Sequence, residues 1–430
     1  MNIILIGIDA LRADHLGCYG YRRNTSPNID ALARKGVCFK KCFSQAYLTA
    51  PSFMSIMTSR YPTYHGITSN ISGAKSGCRA EVADPNVPTL AEILKNNGYH
   101  TAAFTDGGNL YDKLGFSRGF DYYSINRGCG KKKAIIPEND ILYWLEENKN
   151  NDFFLFFHTY SVHSPWVTPE KYRNTFGKGG AKFYRDEKTE NIAAEYADMY
   201  ARELGEYLEL LASVAGKNSA EDVEHLKDLY DCAILYMDQF IGKVAKCLED
   251  LGISDKTIII FTADHGEEFF EHGKLSHQQF YNELLSVPLI IYSPAADLTR
   301  LTGGVARSID IYPTVLELLG IKIKHPIHGA ALLSNNKNTA PHPIVSELGE
   351  RGMAIQGDKY KYIFQGSDEL YDLTNDPMER NNIAPEHPDA VLRMRRDFGE
   401  ELRRPSISRP QKNILQLFGN KINKEYGSKL

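Results

Sequence analysis

The chain has 430 residues, of which 42% are hydrophobic and 24% charged, and its formal net charge is -4. That length suits one large α/β domain with a smaller appendage, and the charge excludes a globally basic nucleic-acid binder. No stretch approaches the roughly 20 apolar residues that a membrane helix needs, so no membrane span is expected. The seven cysteines (18, 38, 42, 78, 129, 232 and 247) are odd in number and scattered. Cys38 and Cys42 lie four apart without a second pair at zinc-site spacing, so thiols in a reducing compartment are expected rather than a disulfide framework. With no basic leader or cleavage site before the apolar run at 3–8, the expected location is cytoplasmic.

Residues 2–8 (N-I-I-L-I-G-I) form a continuous apolar, β-rich run, the pattern of a strand buried on both faces of a parallel sheet, and they end in Asp9. Ser26-Pro27-Asn28 opens a helix that runs to Lys35 and stops at Gly36, with 37–43 extended. The stretch 45–62 (Q-A-Y-L-T-A-P-S-F-M-S-I-M-T-S-R-Y-P) presents Thr49 on a proline-bearing loop ahead of a helix over 52–58. A hydroxyl there sits in positive potential beside unpaired backbone N–H groups, suited to binding and attacking an anionic ester. Taken alone, Thr49 or Ser52 reads equally as a helix cap.

Further along, 89–97 predicts an amphipathic helix, 99–105 a buried strand, 140–147 a helix, and 153–158 (F-F-L-F-F-H) the most apolar strand. His163 follows that strand. A charged, helix-rich insertion or lid is expected around 170–220, then a long amphipathic helix over 222–251. The strand at 256–262 ends in Ala263-Asp264-His265-Gly266-Glu267-Glu268, a further strand covers 287–292, and a helix covers 310–319. Alternating strands and helices argue for an α/β, doubly wound, mostly parallel sheet as a catalytic domain over 1–340. Shorter strands at 344–347, 353–356 and 359–364 and a final helix give a small C-terminal α+β subdomain over 341–402, followed by a basic tail, 403–430.

Asp9, Thr49, His163 and Asp264-His265 each fall at the end of a strand or the start of a helix, where open α/β sheets gather functional groups. Two carboxylates and an imidazole can hold one divalent cation, and an oxygen, oxygen, nitrogen set with an open position suits Mn, Zn, Mg or Ca.

The motifs I-D-A-L-R-A-D-H-L-G-C-Y-G (8–20), S-P-N-I-D-A-L-A-R-K-G-V-C-F (26–39), T-A-P-S-F-M-S-I-M-T-S-R-Y-P-T-Y-H-G (49–66) and F-L-F-F-H-T-Y-S-V-H-S-P-W (154–166) carry a resemblance. It continues through F-T-A-D-H-G-E-E-F-F-E-H-G (261–273), H-Q-Q-F-Y-N-E-L-L-S-V-P-L-I-I (277–291), S-I-D-I-Y-P-T-V-L-E-L-L-G (308–320) and E-L-Y-D-L-T-N-D-P-M-E-R-N-N (369–382). In this order and over most of the chain, they resemble the sulfatase family of the alkaline phosphatase superfamily. The resemblance implies metal ligands at Asp9, Asp264 and His265, with the Thr49 oxygen also at the ion. It places His163 and His277 where the family holds ester oxygens or protonates the leaving group. Arg12, His15, His65 and Tyr281 also match and read equally as architectural; His158, His272 and Glu267 read as ordinary buried groups or as supports of the site.

Two departures shift the expected chemistry. Sulfatases carry Cys or Ser within C/S-x-P-x-R and oxidise it to formylglycine, whereas this chain reads Thr49-Ala50-Pro51-Ser52-Phe53. Threonine is no substrate for that maturation, and Phe53 replaces the arginine. The family's second N-terminal aspartate is also absent, because Ala10 follows Asp9. A threonine sulfate must wait for water where a formylglycine hydrate collapses unaided, so the expectation moves to phosphate-type esters (mono-, di- or phosphonate). Thr49 would attack in line and His163 or His277 would aid departure of the alcohol. The expected substrate is a small molecule or a glycan or lipid-head-group ester. The alternatives are a sulfatase working without formylglycine, a phosphotransferase, and a non-catalytic protein that kept the metal pocket.

Overall fold

Strand β1 (Asn2–Ile8) is buried along its whole length, and it lies at the centre of the main sheet. Its Ile and Leu side chains are covered on both faces, which explains why it reads as an unbroken apolar run. The structure is a computed structural model that describes residues 1–70, 81–126, 136–164, 166, 168–172, 175–177, 220–294, 298, 304–333 and 343–404. Most of the insertion expected around 170–220, and the basic tail beyond residue 404, lie outside the described residues.

After β1 come helix α1 (Pro27–Lys35), strands β2 (Val37–Phe39) and β3 (Lys41–Phe43), and helix α2 (Thr49–Thr58). Strands β4 (His100–Thr105), β5 (Tyr122–Ile125) and β6 (Phe153–Thr159) follow, then the long helix Ala220–Asp250 and β7 (Thr257–Ala263). A hairpin of β8 (Glu268–Phe269) and β9 (Leu275–Ser276) precedes β10 (Leu289–Tyr292) and β11 (Val305–Arg307). The main sheet runs β2-β10-β7-β1-β6-β4-β5. β1 pairs in parallel with β6 and β7, β4 pairs in parallel with β6 and β5, and β10 is antiparallel to both its neighbours. The doubly wound, mostly parallel expectation therefore holds. The reversal at β10 was not foreseen, because a strand buried on both faces looks the same in either direction.

Parallel pairing brings the carboxyl ends of β1, β6 and β7 to one edge, with Ile8 level with Thr159 and Ala263. Asp9, the residues after Thr159 and Asp264 thereby become spatial neighbours.

The second sheet is the antiparallel meander β12 (Ile344–Glu347), β13 (Met353–Gln356), β14 (Tyr360–Phe364) and β15 (Asp368–Asp372). β15 escaped the sequence reading, since in D-E-L-Y-D only Leu370 and Tyr371 are apolar and they stand side by side, without a strand's alternation. The helix Pro388–Arg403 packs against this sheet and against Tyr61 and Tyr64. There Arg307 donates to Glu401 at 2.9 Å and to Asp310 at 2.9 Å, and all three side chains are buried. Breaking a buried pair from one side leaves an uncompensated charge, which costs about 3–5 kcal/mol. Arg307→Leu is expected to lower the unfolding free energy by that amount, read from the shift of the urea midpoint. A shift under about 1 kcal/mol would place the network among weak surface pairs.

Candidate active site

Helix α2 begins at Thr49 itself, with Leu48 as N-cap, rather than at Ser52. Pro51 is compatible with that start because N–H groups in a helix's first turn have no carbonyl to bond. Asn70 Oδ1 accepts from Ala50 N at 3.0 Å and satisfies one of those donors. His65 braces the helix, with Nε2 at 3.0 Å from Ser55 Oγ and 3.1 Å from Pro51 O. Ser52 ties the helix to β7, donating to the Asp264 carbonyl at 2.8 Å. His15, with Nδ1 2.7 Å from Asp231, anchors its loop to the long helix.

The expected metal residues meet. Asp9, Asp264 and His265 each offer a ligand atom, and these atoms lie within 4.8 Å of one another with all three residues buried. His265 Nε2 is 3.3 Å from Asp264 Oδ2 and 3.9 Å from Asp9 Oδ1. His265 Nδ1 lies 2.8 Å from Gly266 O, a contact that fixes the Nδ1–H tautomer and turns the lone pair of Nε2 toward the carboxylates. Asp264 Oδ1 is held by backbone N–H groups of Ala10 (3.2 Å) and His265 (2.9 Å). Ala10, standing where the family has its second aspartate, takes a left-handed φ of 60° to donate this bond.

Both Asp9 carboxylate oxygens, Asp264 Oδ2, His265 Nε2 and Thr49 Oγ1 are buried without a hydrogen-bond partner among the described residues. Burial raises the pKa of Asp9 well above the ordinary carboxylate value. Burial likewise raises Asp264, reinforced by the Asp9 charge, and it pushes His265 down to about 3. Orphaned anionic oxygens and a neutral imidazole turned to one point are what a divalent cation requires, and its charge would reverse the carboxylate shifts. The residues fit such an ion.

His163 and His277 complete the rim. His163 Nε2 lies 4.0 Å from Asp9 Oδ1, and its Nδ1 is engaged by Ser164 O at 2.7 Å. The His277 ring lies 4.3 Å from that of His265 and 5.1 Å from that of His163. Burial lowers its pKa well below the usual histidine value. Sequence reasoning missed Asp106, a buried carboxylate after β4 that accepts from Thr159 Oγ1 at 2.7 Å and Tyr160 N at 2.8 Å. Its position after a buried strand was the available signal. His158 lies on the other side of Asp9, Nε2 to Oδ2 3.6 Å, and His272 sits apart beside Glu283 at 3.4 Å.

Phe53 does not reach the site. Its ring packs at 5.7 Å from Phe156 and 5.0 Å from His158, over Gly7, where an added Cβ would stand 2.4 Å from Phe53 Cε1. A glycine in the central strand thus makes room for an aromatic where the family carries an arginine.

The sequence model of the Sulfatase family matches residues 1–321. The chain belongs to the sulfatase family. Membership makes it a hydrolase of ester bonds, and members of this family generally bind a divalent metal ion. Among curated relatives, the N-acetylglucosamine-6-O-sulfatase of Bacteroides thetaiotaomicron is 24% identical, covering 89% of this chain and 82% of its own. The iduronate 2-sulfatase of Mus musculus is 29% identical over 81% of this chain and 75% of its own. Among solved structures, a complex with its substrate D-glucosamine-2-N,6-O-disulfate superposes with a TM-score of 0.72 at 21% identity, covering 93% and 97% of the two chains. The phosphonate monoester hydrolase of Agrobacterium radiobacter superposes at 0.71 with 20% identity, covering 93% and 95%. These likenesses show the sulfatase fold.

Proposed function

We propose that this sulfatase-family chain hydrolyses phosphate-type esters, with Thr49 as the nucleophile. The observation that carries the reading is Thr49 Oγ1, a hydroxyl that formylglycine maturation does not use, buried at the start of α2 beside Asp9 and without a partner. Asp9, Asp264, His265 and Thr49 would hold one divalent ion, of which Mn, Zn, Mg and Ca all suit the donors. Such an ion, when bound, supplies positive charge that favours a deprotonated hydroxyl and offsets charge on the ester oxygens.

The chain's own groups then divide the work. Thr49 Oγ1 forms the bond to phosphorus as the bond to the alcohol breaks on the opposite side. His163 or His277 delivers a proton to the departing alcohol, a contribution worth roughly 10²–10⁴-fold in rate. Water then attacks the phosphothreonine at phosphorus, the bond to Thr49 Oγ1 breaks and that oxygen regains the proton the water gives up, so that two displacements give retention at phosphorus. Dense burial around Asp9 and Asp264 keeps other water from competing with the ester.

A second reading, a sulfuric ester hydrolase working without formylglycine, is favoured by the sulfatases among the relatives. A phosphotransferase of the membrane-anchored kind gains no support, since no helix among the described residues is long and apolar enough to cross a membrane. The deciding measurement is kcat/KM on p-nitrophenyl sulfate, p-nitrophenyl phosphate, bis(p-nitrophenyl) phosphate and p-nitrophenyl phenylphosphonate, each with Mn, Zn, Mg and Ca. The expected result is highest turnover on a phosphorus ester. A preference for the sulfate with Thr49 unmodified would transfer the assignment to the second reading.

A further inference from the structure

The hairpin β8–β9 has strands of only two residues, paired Glu268 to Ser276 and Phe269 to Leu275. Extending the antiparallel ladder by one position sets Glu267 opposite His277. The side chains meet, with His277 Nδ1 3.4 Å from Glu267 Oε1 and 3.1 Å from Ser276 Oγ. Glu267 is fully buried, and its other oxygen, Oε2, has no hydrogen-bond partner among the described residues. Ser276, immediately before His277, has a φ of 83°, a left-handed conformation that a residue with a Cβ adopts only under constraint. Backbone strain of this kind is retained where the surroundings over-determine it. Here it coincides with the residue that aims His277 into the site.

We propose that Glu267 is the positioning residue of the leaving-group acid: it accepts the Nδ1–H of His277 and fixes the ring orientation in which the imidazolium, protonated on both nitrogens, gives its Nε2 proton to the departing oxygen and is left as the Nδ1–H imidazole. In that step the ester bond to the alcohol breaks, its electron pair stays on the alcohol oxygen, and the Nε2 proton passes to that oxygen. The Nδ1–H bond to Glu267 holds the ring in place throughout. The carboxylate–imidazole pair does for a departing alcohol what such pairs do wherever a histidine must face one way. A contact of 3.4 Å is long, and such bonds shorten when a ligand is bound. The proposal rests on reading His277 as the acid of ester hydrolysis; the Nδ1 of His163 is held by a backbone carbonyl instead.

The test compares phenyl and p-nitrophenyl esters of the phosphorus acid the protein turns over best, because only the poor leaving group needs a proton. Glu267→Gln is expected to lower kcat/KM for the phenyl ester at least roughly tenfold more than for the p-nitrophenyl ester. Glu267→Asp should restore part of the phenyl-ester rate, and Glu267→Gln added to His277→Gln should cause no further loss. Equal losses on both esters, or additive losses in the double variant, would overturn the positioning role while leaving ester hydrolysis by Thr49 standing. If His277→Gln spares both esters, the acid is not His277 and the proposal falls with that assignment alone. Inactivity of the unsubstituted chain on every phosphorus ester would instead remove the parent reading. Should Glu267→Gln not fold, as judged by its thermal melt, the Glu267→Asp comparison carries the same two outcomes.

Discussion

Thr49→Ala is expected to fold as the unsubstituted chain does and to lose turnover on the order of 10⁴-fold or more on every ester, the scale seen when a catalytic nucleophile is deleted. The fold should tolerate the change for two reasons. Thr49 Oγ1 has no hydrogen-bond partner to lose among the described residues, and alanine is the better helix former at the start of α2. Chemistry should not tolerate it, since Ser52 is committed to Ser44 and the Asp264 carbonyl, each at 2.8 Å, and is unable to replace the missing hydroxyl without abandoning both. Thr49→Ser should retain most of the activity. Intact-mass spectra of acid-quenched reactions should show a phosphoryl adduct on the unsubstituted chain and none on the alanine variant. Full turnover by Thr49→Ala would remove the nucleophile assignment.

The second large effect concerns Asp9. Metal-linked stabilisation follows RT ln(1 + [L]/Kd), about 4 kcal/mol when the free ion stands at a thousand times its Kd. The unsubstituted chain should gain stability of that order on adding the preferred ion after chelator treatment, whereas Asp9→Asn should gain almost none and should lack activity. In chelator, the order should reverse or level. Asp9 is a fully buried carboxylate beside Asp264, and an amide removes the repulsion between them and one costly desolvation. Denaturant midpoints for both proteins, with and without the ion, would decide this. An undiminished metal-induced shift in Asp9→Asn would place the ion elsewhere.

The sequence made the central part of this architecture legible because parallel strands announce themselves: β1, β6 and β7 are buried along their whole length and carry long apolar runs that end at polar residues. Once those strands are taken as parallel neighbours, Asp9, His163 and Asp264 must share one edge. Other features were hidden because they depend on pairings distant in sequence or on very short elements. The two-residue strands that face Glu267 toward His277 have no periodicity to detect. Phe53 reads simply as a lost arginine until Gly7, far away in sequence, is found beneath its ring. The start of α2 was misplaced because Pro51 looks like a loop residue when its helix position is unknown.

The helix Pro388–Arg403 has a consequence for how the protein is made. Tyr61 OH donates to Glu401 at 3.0 Å, Arg307 shares that carboxylate, and Ser346 Oγ donates to Ser44 O at 2.6 Å, just upstream of α2. During translation Arg307, Ser346 and Glu401 emerge only after the segment that bears Thr49. Until the helix Pro388–Arg403 is made, Tyr61 and Tyr64 lack its cover. Long-range pairing of this kind is slow and leaves apolar surface waiting. The apolar surface beside α2 therefore waits for a helix made far later in the chain.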